Sequence, residues 1–143
     1  MNSYITQLLS AYFNILSGNI ISEGNPVNVY INGVDATETR NYIQLRAESE
    51  FNDSNKSKFV TEPVVVADIC TFHDGSIDAS VVEEIDNRMR ELMFPNRQGQ
   101  IIQTADYEIL NIKIENSTYL DGYNGAKHEH RKITRFNNRI IQN

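Results

Sequence analysis

The stretch Glu62–Pro95, EPVVVADICTFHDGSIDASVVEEIDNRMRELMFP, constrains this chain more than any other, because it specifies a strand, a turn and an amphipathic helix in immediate succession. Val64 to Phe72 is a continuous β-branched and apolar run, preceded by Pro63 and ended by His73-Asp74-Gly75. Apolar residues at both parities mean a strand covered on both faces, and therefore central in its sheet. Ser80-Val81-Val82-Glu83 has the form of a capping box, in which the Ser80 hydroxyl accepts from an amide three residues on and Glu83 reaches back to the Ser80 amide. The helix predicted from there aligns Val82, Ile85, Met89 and Leu92 in one stripe and stops at Pro95. Its acidic residues crowd its first turns and its arginines lie in its later ones, the distribution the helix dipole favours.

A chain of 143 residues suits a single domain over residues 1–143. At that length roughly 68 to 70% of the unfolded surface is buried, which makes a core without disulfide or metal staples. Cys70 is the only cysteine, so no intrachain disulfide forms, and its place in the apolar run marks it as core filler rather than a nucleophile. No run approaches the ~18 apolar residues of a membrane span, and MNSYITQ lacks the basic start of a signal peptide, so the expectation is a cytoplasmic chain with no membrane partner. The net charge of -6 is uneven: residues 1–126 hold 8 Lys+Arg against 18 Asp+Glu, whereas residues 127–143 hold 5 against Glu129 alone. An acidic body with a basic last strand can associate head to tail.

The first segment places Ile5, Leu8, Leu9, Tyr12, Phe13 and Leu16 on one helical face, with Asn2 or Ser3 as cap and Gly18 at the stop. Val27 to Ile31 alternates as a strand, and Asn32-Gly33 signals a hairpin reversal into a second strand over Asn41–Ser49. Glu50–Lys58 reads as an exposed polar loop. After the helix, Asn96–Thr104 is a connector. A strand over Tyr107–Glu115 is predicted to turn Leu110, Ile112 and Ile114 one way and Tyr107, Ile109, Asn111 and Lys113 the other. Tyr119–Gly125 reads as a long hairpin tip. The last strand, Lys127 to Ile141, sets His128, His130, Lys132, Thr134 and Phe136 against Arg131, Ile133, Arg135, Arg139 and Ile141. The order α-β-β-β-α-β-β with mostly hairpin links predicts an α+β fold with a mainly antiparallel sheet flanked by two helices.

Chemistry is sparse. His128-Glu129-His130 offers two imidazoles on one strand face without the further ligands a structural metal site requires. Phosphate-cradle, nucleophile-elbow and zincin signatures do not occur. Asp68 inside the apolar run is read as a carboxylate paired with an arginine rather than a catalytic group. No catalytic residue, metal or cofactor is therefore assigned. Lys127, Arg131, Lys132, Arg135 and Arg139 are the candidate subunit-interface residues, meeting the acidic body of the next copy in a ring-closing contact. Sequence-specific nucleic-acid binding is not expected, since no stacking aromatics are interleaved among these cations.

On these features the chain resembles the tail terminator or tail-completion proteins of tailed bacteriophages. The residues that carry the resemblance are the Ile5–Leu16 helix, the polar hairpin, VVVADICTF running into the Ser80–Met93 helix that ends at Phe94-Pro95, and the closing pair from DYEILNIKIENS through YLDGYNG to KITRFNNRI. The resemblance implies a virion structural protein, assembled in a host bacterial cytoplasm, that forms a homo-oligomeric neck ring. That ring is sixfold, or twelvefold near the portal, touches neighbouring neck, portal or tail proteins, and surrounds a channel through which genomic DNA passes without sequence-specific binding. It implies no catalytic residues. Long polar connections carry contacts in such assemblies, which makes Tyr119, Leu120, Asp121 and Tyr123 the candidate inter-ring residues, with Glu50–Lys58 and Asn96–Thr104 beside them. A small cytoplasmic adaptor that forms no ring fits the acidic surface as well, and a small nuclease requires a carboxylate cluster the sequence does not display.

Overall fold

The computed structural model describes residues 4–48, 60–100, 102–103, 106–125 and 127–142. The predicted Glu50–Lys58 loop and the Asn2 or Ser3 cap lie outside the described residues. Helix α1 is Tyr4–Leu16 and α2 is Ala79–Met93. The strands are β1 Ile21–Ser22, β2 Asn25–Pro26, β3 Asn28–Ile31, β4 Tyr42–Ala47, β5 Val60–Thr61, β6 Val64–His73, β7 Tyr107–Asn124 and β8 Lys127–Gln142. The α+β class stands, with both helices packed on one mostly antiparallel sheet ordered β3-β4-β6-β8, where β8 also pairs β7 and β5. Strand β6 is central, as its two-sided apolar run requires: nine of its ten residues are buried.

Register assigns the faces. Val65, Ala67 and Ile69 of β6 lie beside Ile43, Leu45 and Phe136 of the neighbouring strands, and all join the main core with Leu8, Leu9, Tyr12 and Leu16 of α1 and Val82, Ile85, Met89 and Met93 of α2. Both helical stripes thus face the sheet. Alternate residues Val64 and Val66 form a smaller cluster with Ile133 on the opposite face. Asn138, fully buried, ties the two ends of the core together. It accepts from the Tyr12 hydroxyl on α1 and donates to the Pro63 carbonyl, where the missing proline N–H separates β5 from β6.

Four local expectations are corrected. Asn32-Gly33 does not close a hairpin: β3 and β4 run parallel, Asn28 beside Tyr42 through Ile31 beside Leu45, so Asn32 to Asn41 is a crossover. Its path is fixed by Glu38, which accepts from the Tyr30 hydroxyl at 2.5 Å and pairs with Arg40 at 3.1 Å. The true tight hairpin is earlier, β1 to β2, across Glu23-Gly24, both at positive φ. The α2 cap is Asp78, not Ser80; its carboxylate accepts from the Ser80 amide and hydroxyl, and Glu83 is thereby released for other partners. In β7 register shifts fall at Leu110 and Glu115, and the first exchanges two predicted faces: Ile109 packs inward with Ile112 and Ile114, which share a face as predicted, while Leu110 is 51% exposed. Finally, Tyr119 to Asn124 is not a loop: β7 stays paired with β8 to Asn124, and the reversal is a tight turn at Gly125.

Candidate assembly surfaces

The polar residues of α2 meet the β7–β8 pair in one continuous network. Asp86, 1% exposed, accepts from Arg90 Nε at 2.7 Å and from the Thr134 hydroxyl at 3.1 Å, and pairs with Lys132 Nζ at 2.8 Å. Arg90 also donates to the Ser117 hydroxyl at 3.0 Å, so the helix grips both strands. Lys132 bridges onward to Glu83 at 3.0 Å, and Glu83 accepts from the Tyr119 hydroxyl. Burial opposes the charge on Lys132, yet its hydrogen bonds with Asp86 and Glu83 outweigh that and hold its titration above the ordinary lysine range. Tyr119 stacks on His130, whose Nδ1 lies 2.5 Å from Asp121.

On the opposite face Asp68 is gripped by Arg131 and lies 3.4 Å from Arg46, the arginine pairing expected of a carboxylate buried in that strand. Cys70 beside it is fully buried, and that burial pushes its thiol up to about 12, the behaviour of core filler. Among the described residues no group of three or more His, Cys, Asp and Glu side chains is placed to hold a metal ion.

Of the five β8 cations, Lys127, Arg131, Arg135 and Arg139 share the face of β8 turned away from the helices, and Lys132 lies on the helix-bearing face. Each has a carboxylate partner within its own chain: Lys127 with Asp74, Arg131 with Asp68, Lys132 with Glu83 and Asp86, Arg135 with Glu48, and Arg139 with Glu62. The hairpin residues divide by pairing. Tyr119, Asp121 and Tyr123 lie opposite Lys132, His130 and His128 on the helix-bearing face, with Tyr123 against the His128 ring at 4.5 Å. Leu120 lies opposite Arg131 on the other face. Leu120 and Tyr123 remain exposed at 51% and 74%.

Glu38 and Glu83 are among the carboxylates held below their ordinary range, and such groups make stability pH-dependent. The Arg40 guanidinium and the Tyr30 hydroxyl lower Glu38 to about 2, and the Tyr119 hydroxyl, with Lys132, holds Glu83 below its ordinary value. A depressed carboxylate contributes stability above its unfolded value of 4.5 and loses it as pH falls through the folded one. The urea midpoint is therefore expected to fall steadily from pH 4.5 towards 2, and Glu38→Gln to flatten that fall. An equally steep fall in the variant would remove Glu38 from the account.

Two grooves border these elements. Gln98–Gln100 and Ile102–Gln103 lie along the outer edge of β7, where the Ile109 amide donates to Ile102 O at 3.0 Å and Gln103 bridges Glu108. Gly99 permits the approach, since a Cβ there would stand 3.2 Å from that of Ile112. The segment is entered through Asn96 and Arg97, both at positive φ, a conformation costing about 1–2 kcal/mol for a residue with a side chain. Hydrogen bonds from the Gln100 amide to Met93 O and from its side chain to Leu92 O hold it. The groove so formed includes Phe94, Arg97, Leu110 and Lys113. A second groove lies between Ile21 of β1 and the outward face of α2, with Glu83, Glu84, Arg88 and Glu91. Arg97, Lys113 and Glu84, which line these grooves, are not among the candidate interface residues that the sequence offers.

No protein-family model matches the sequence, and no curated protein is similar to it. In three dimensions the chain is similar to one chain of a solved structure described as "Virion of native gene transfer agent (GTA) particle". The TM-score is 0.74 over 99% of this chain and 100% of that one, at 12% sequence identity, so what the two share is the fold across their whole length.

Proposed function

We propose that the chain is a structural subunit of a phage-like virion, and that copies of it close into a ring at the head–tail junction, as a tail terminator or tail-completion protein, around the channel for the DNA. The observation that carries this reading is the end-to-end likeness in fold to a chain of a virion particle. At the level of a virion structural protein it agrees with the resemblance drawn from the order of helices and strands. The polar network between α2 and β7–β8 gives each subunit a rigid body, while Leu120 and Tyr123 at the end of the β7–β8 hairpin contact the adjacent ring. The β8 cations serve first to hold β8 against its own chain. The acidic net charge of -6 favours free passage of DNA through a lumen.

Native mass spectrometry over a concentration series, with negative-stain imaging of the most concentrated sample, tests the reading. Closed sixfold or twelvefold rings are expected. A monomer or a twofold dimer at every concentration would overturn the ring and favour the adaptor.

A further inference from the structure

We propose that the groove along the outer edge of β7 receives the outward face of α2 from a second copy of the chain, in a head-to-tail contact. The inference rests on the ring reading above and names the two surfaces that would close it. The β7 groove carries Arg97 and Lys113 with no carboxylate among its lining residues. The α2 groove carries three carboxylates against Arg88, and of the three Glu83 already pairs with Lys132. Each surrounds one large exposed apolar side chain, Leu110 at 51% on the β7 side and Ile21 at 63% on the α2 side. An apolar centre with a charged rim is the usual anatomy of a protein interface, and here the two rims are of opposite sign.

The charges concerned are available. Among the described residues Arg97, Lys113 and Glu84 make no ion pair within the chain, unlike the β8 cations, and Glu91 meets only Arg88 on the surface. Two β7 grooves facing each other would oppose like charges, as would two α2 faces, so a twofold dimer through either surface is disfavoured. A contact between unlike surfaces is heterologous, and heterologous contacts close into rings when the rotation allows.

Two charge-reversed proteins test the pairing: Arg97→Glu with Lys113→Glu, and Glu84→Lys with Glu91→Lys. All four positions are exposed, so each protein should retain the folded circular-dichroism spectrum. Each alone is expected to need more than about tenfold higher concentration to assemble, because like charges then face one another. An equimolar mixture is expected to regain assembly with the two proteins alternating, since every contact again joins opposite signs. Folded variants that assemble like the wild type, or a mixture that stays dissociated, would overturn this pairing while leaving wild-type rings intact. A wild-type chain that never assembles would instead overturn the ring reading, and this contact with it.

Discussion

Asp86→Ala is expected to lower the stability of the chain by about 3–5 kcal/mol, the usual consequence of removing one partner from a buried ion pair. Asp86 is 1% exposed and satisfies Arg90, Lys132 and Thr134 at once, so its loss leaves the Lys132 ammonium, itself only 6% exposed, with Glu83 alone. For a domain of this size the thermal midpoint should drop by roughly 10 °C or more. A double-mutant cycle with Lys132→Met separates the pair from simple loss of packing: the double variant should be more stable than the sum of the single losses predicts, by at least about 1 kcal/mol. An unchanged midpoint for Asp86→Ala, or strict additivity in the cycle, would mean that the network is not what fixes α2 on β7–β8.

The elements were legible where a residue's neighbours in sequence decide its environment. The α1 and α2 stripes and the two-sided run of β6 became the core because burial of those faces needs no information from elsewhere in the chain. Asp68 was legible for a related reason: a carboxylate within such a run requires a cation, and β4 and β8 supply Arg46 and Arg131. The failures have a common physical origin in long-range partners. Asn32-Gly33 carries a strong local turn signal, yet the direction of β4 is decided by its antiparallel pairing with β6, Tyr42 beside Cys70 through Ala47 beside Val65. Ser80-x-x-Glu83 fits a capping box, but Asp78 takes the cap, and Lys132 and Tyr119, both distant in sequence, take Glu83. Alternation in β7 broke at Leu110 and Glu115 because bulges insert residues that no period of two anticipates.

The candidate surfaces were less legible than the fold. Strand β8 presents a row of cations, and two of them have partners in the same chain: Arg135 pairs with Glu48 and Arg139 with Glu62 across the sheet. Strand pairing brings those carboxylates close, and charge counting along the sequence does not reveal pairing. Arg97 and Lys113 are far apart in sequence and line one groove because the chain doubles back along β7, with Gly99 against Ile112.

Phe136→Ala is the second large effect, expected at about 3–5 kcal/mol from lost burial and the cavity left behind. Phe136 is fully buried where three elements meet: its ring lies 5.7 Å from Tyr12 of α1 in an edge-on arrangement and 6.1 Å from Phe94 at the exit of α2, stacked at 28°. Neither neighbour can easily fill the space. The Tyr12 hydroxyl is held by Asn138, and the Phe94 N–H donates to Arg90 O. Phe136→Leu keeps most of the volume and should cost well under half as much. Urea denaturation of both variants measures the difference, with the midpoint shifting and the slope preserved if the native fold is retained. Because Phe94 also opens the Asn96-Arg97 turn, the head-to-tail contact proposed above predicts that the alanine variant assembles more weakly at temperatures where it remains folded. Undiminished assembly would show that the turn is set by its own backbone hydrogen bonds rather than by the aromatic core beneath it.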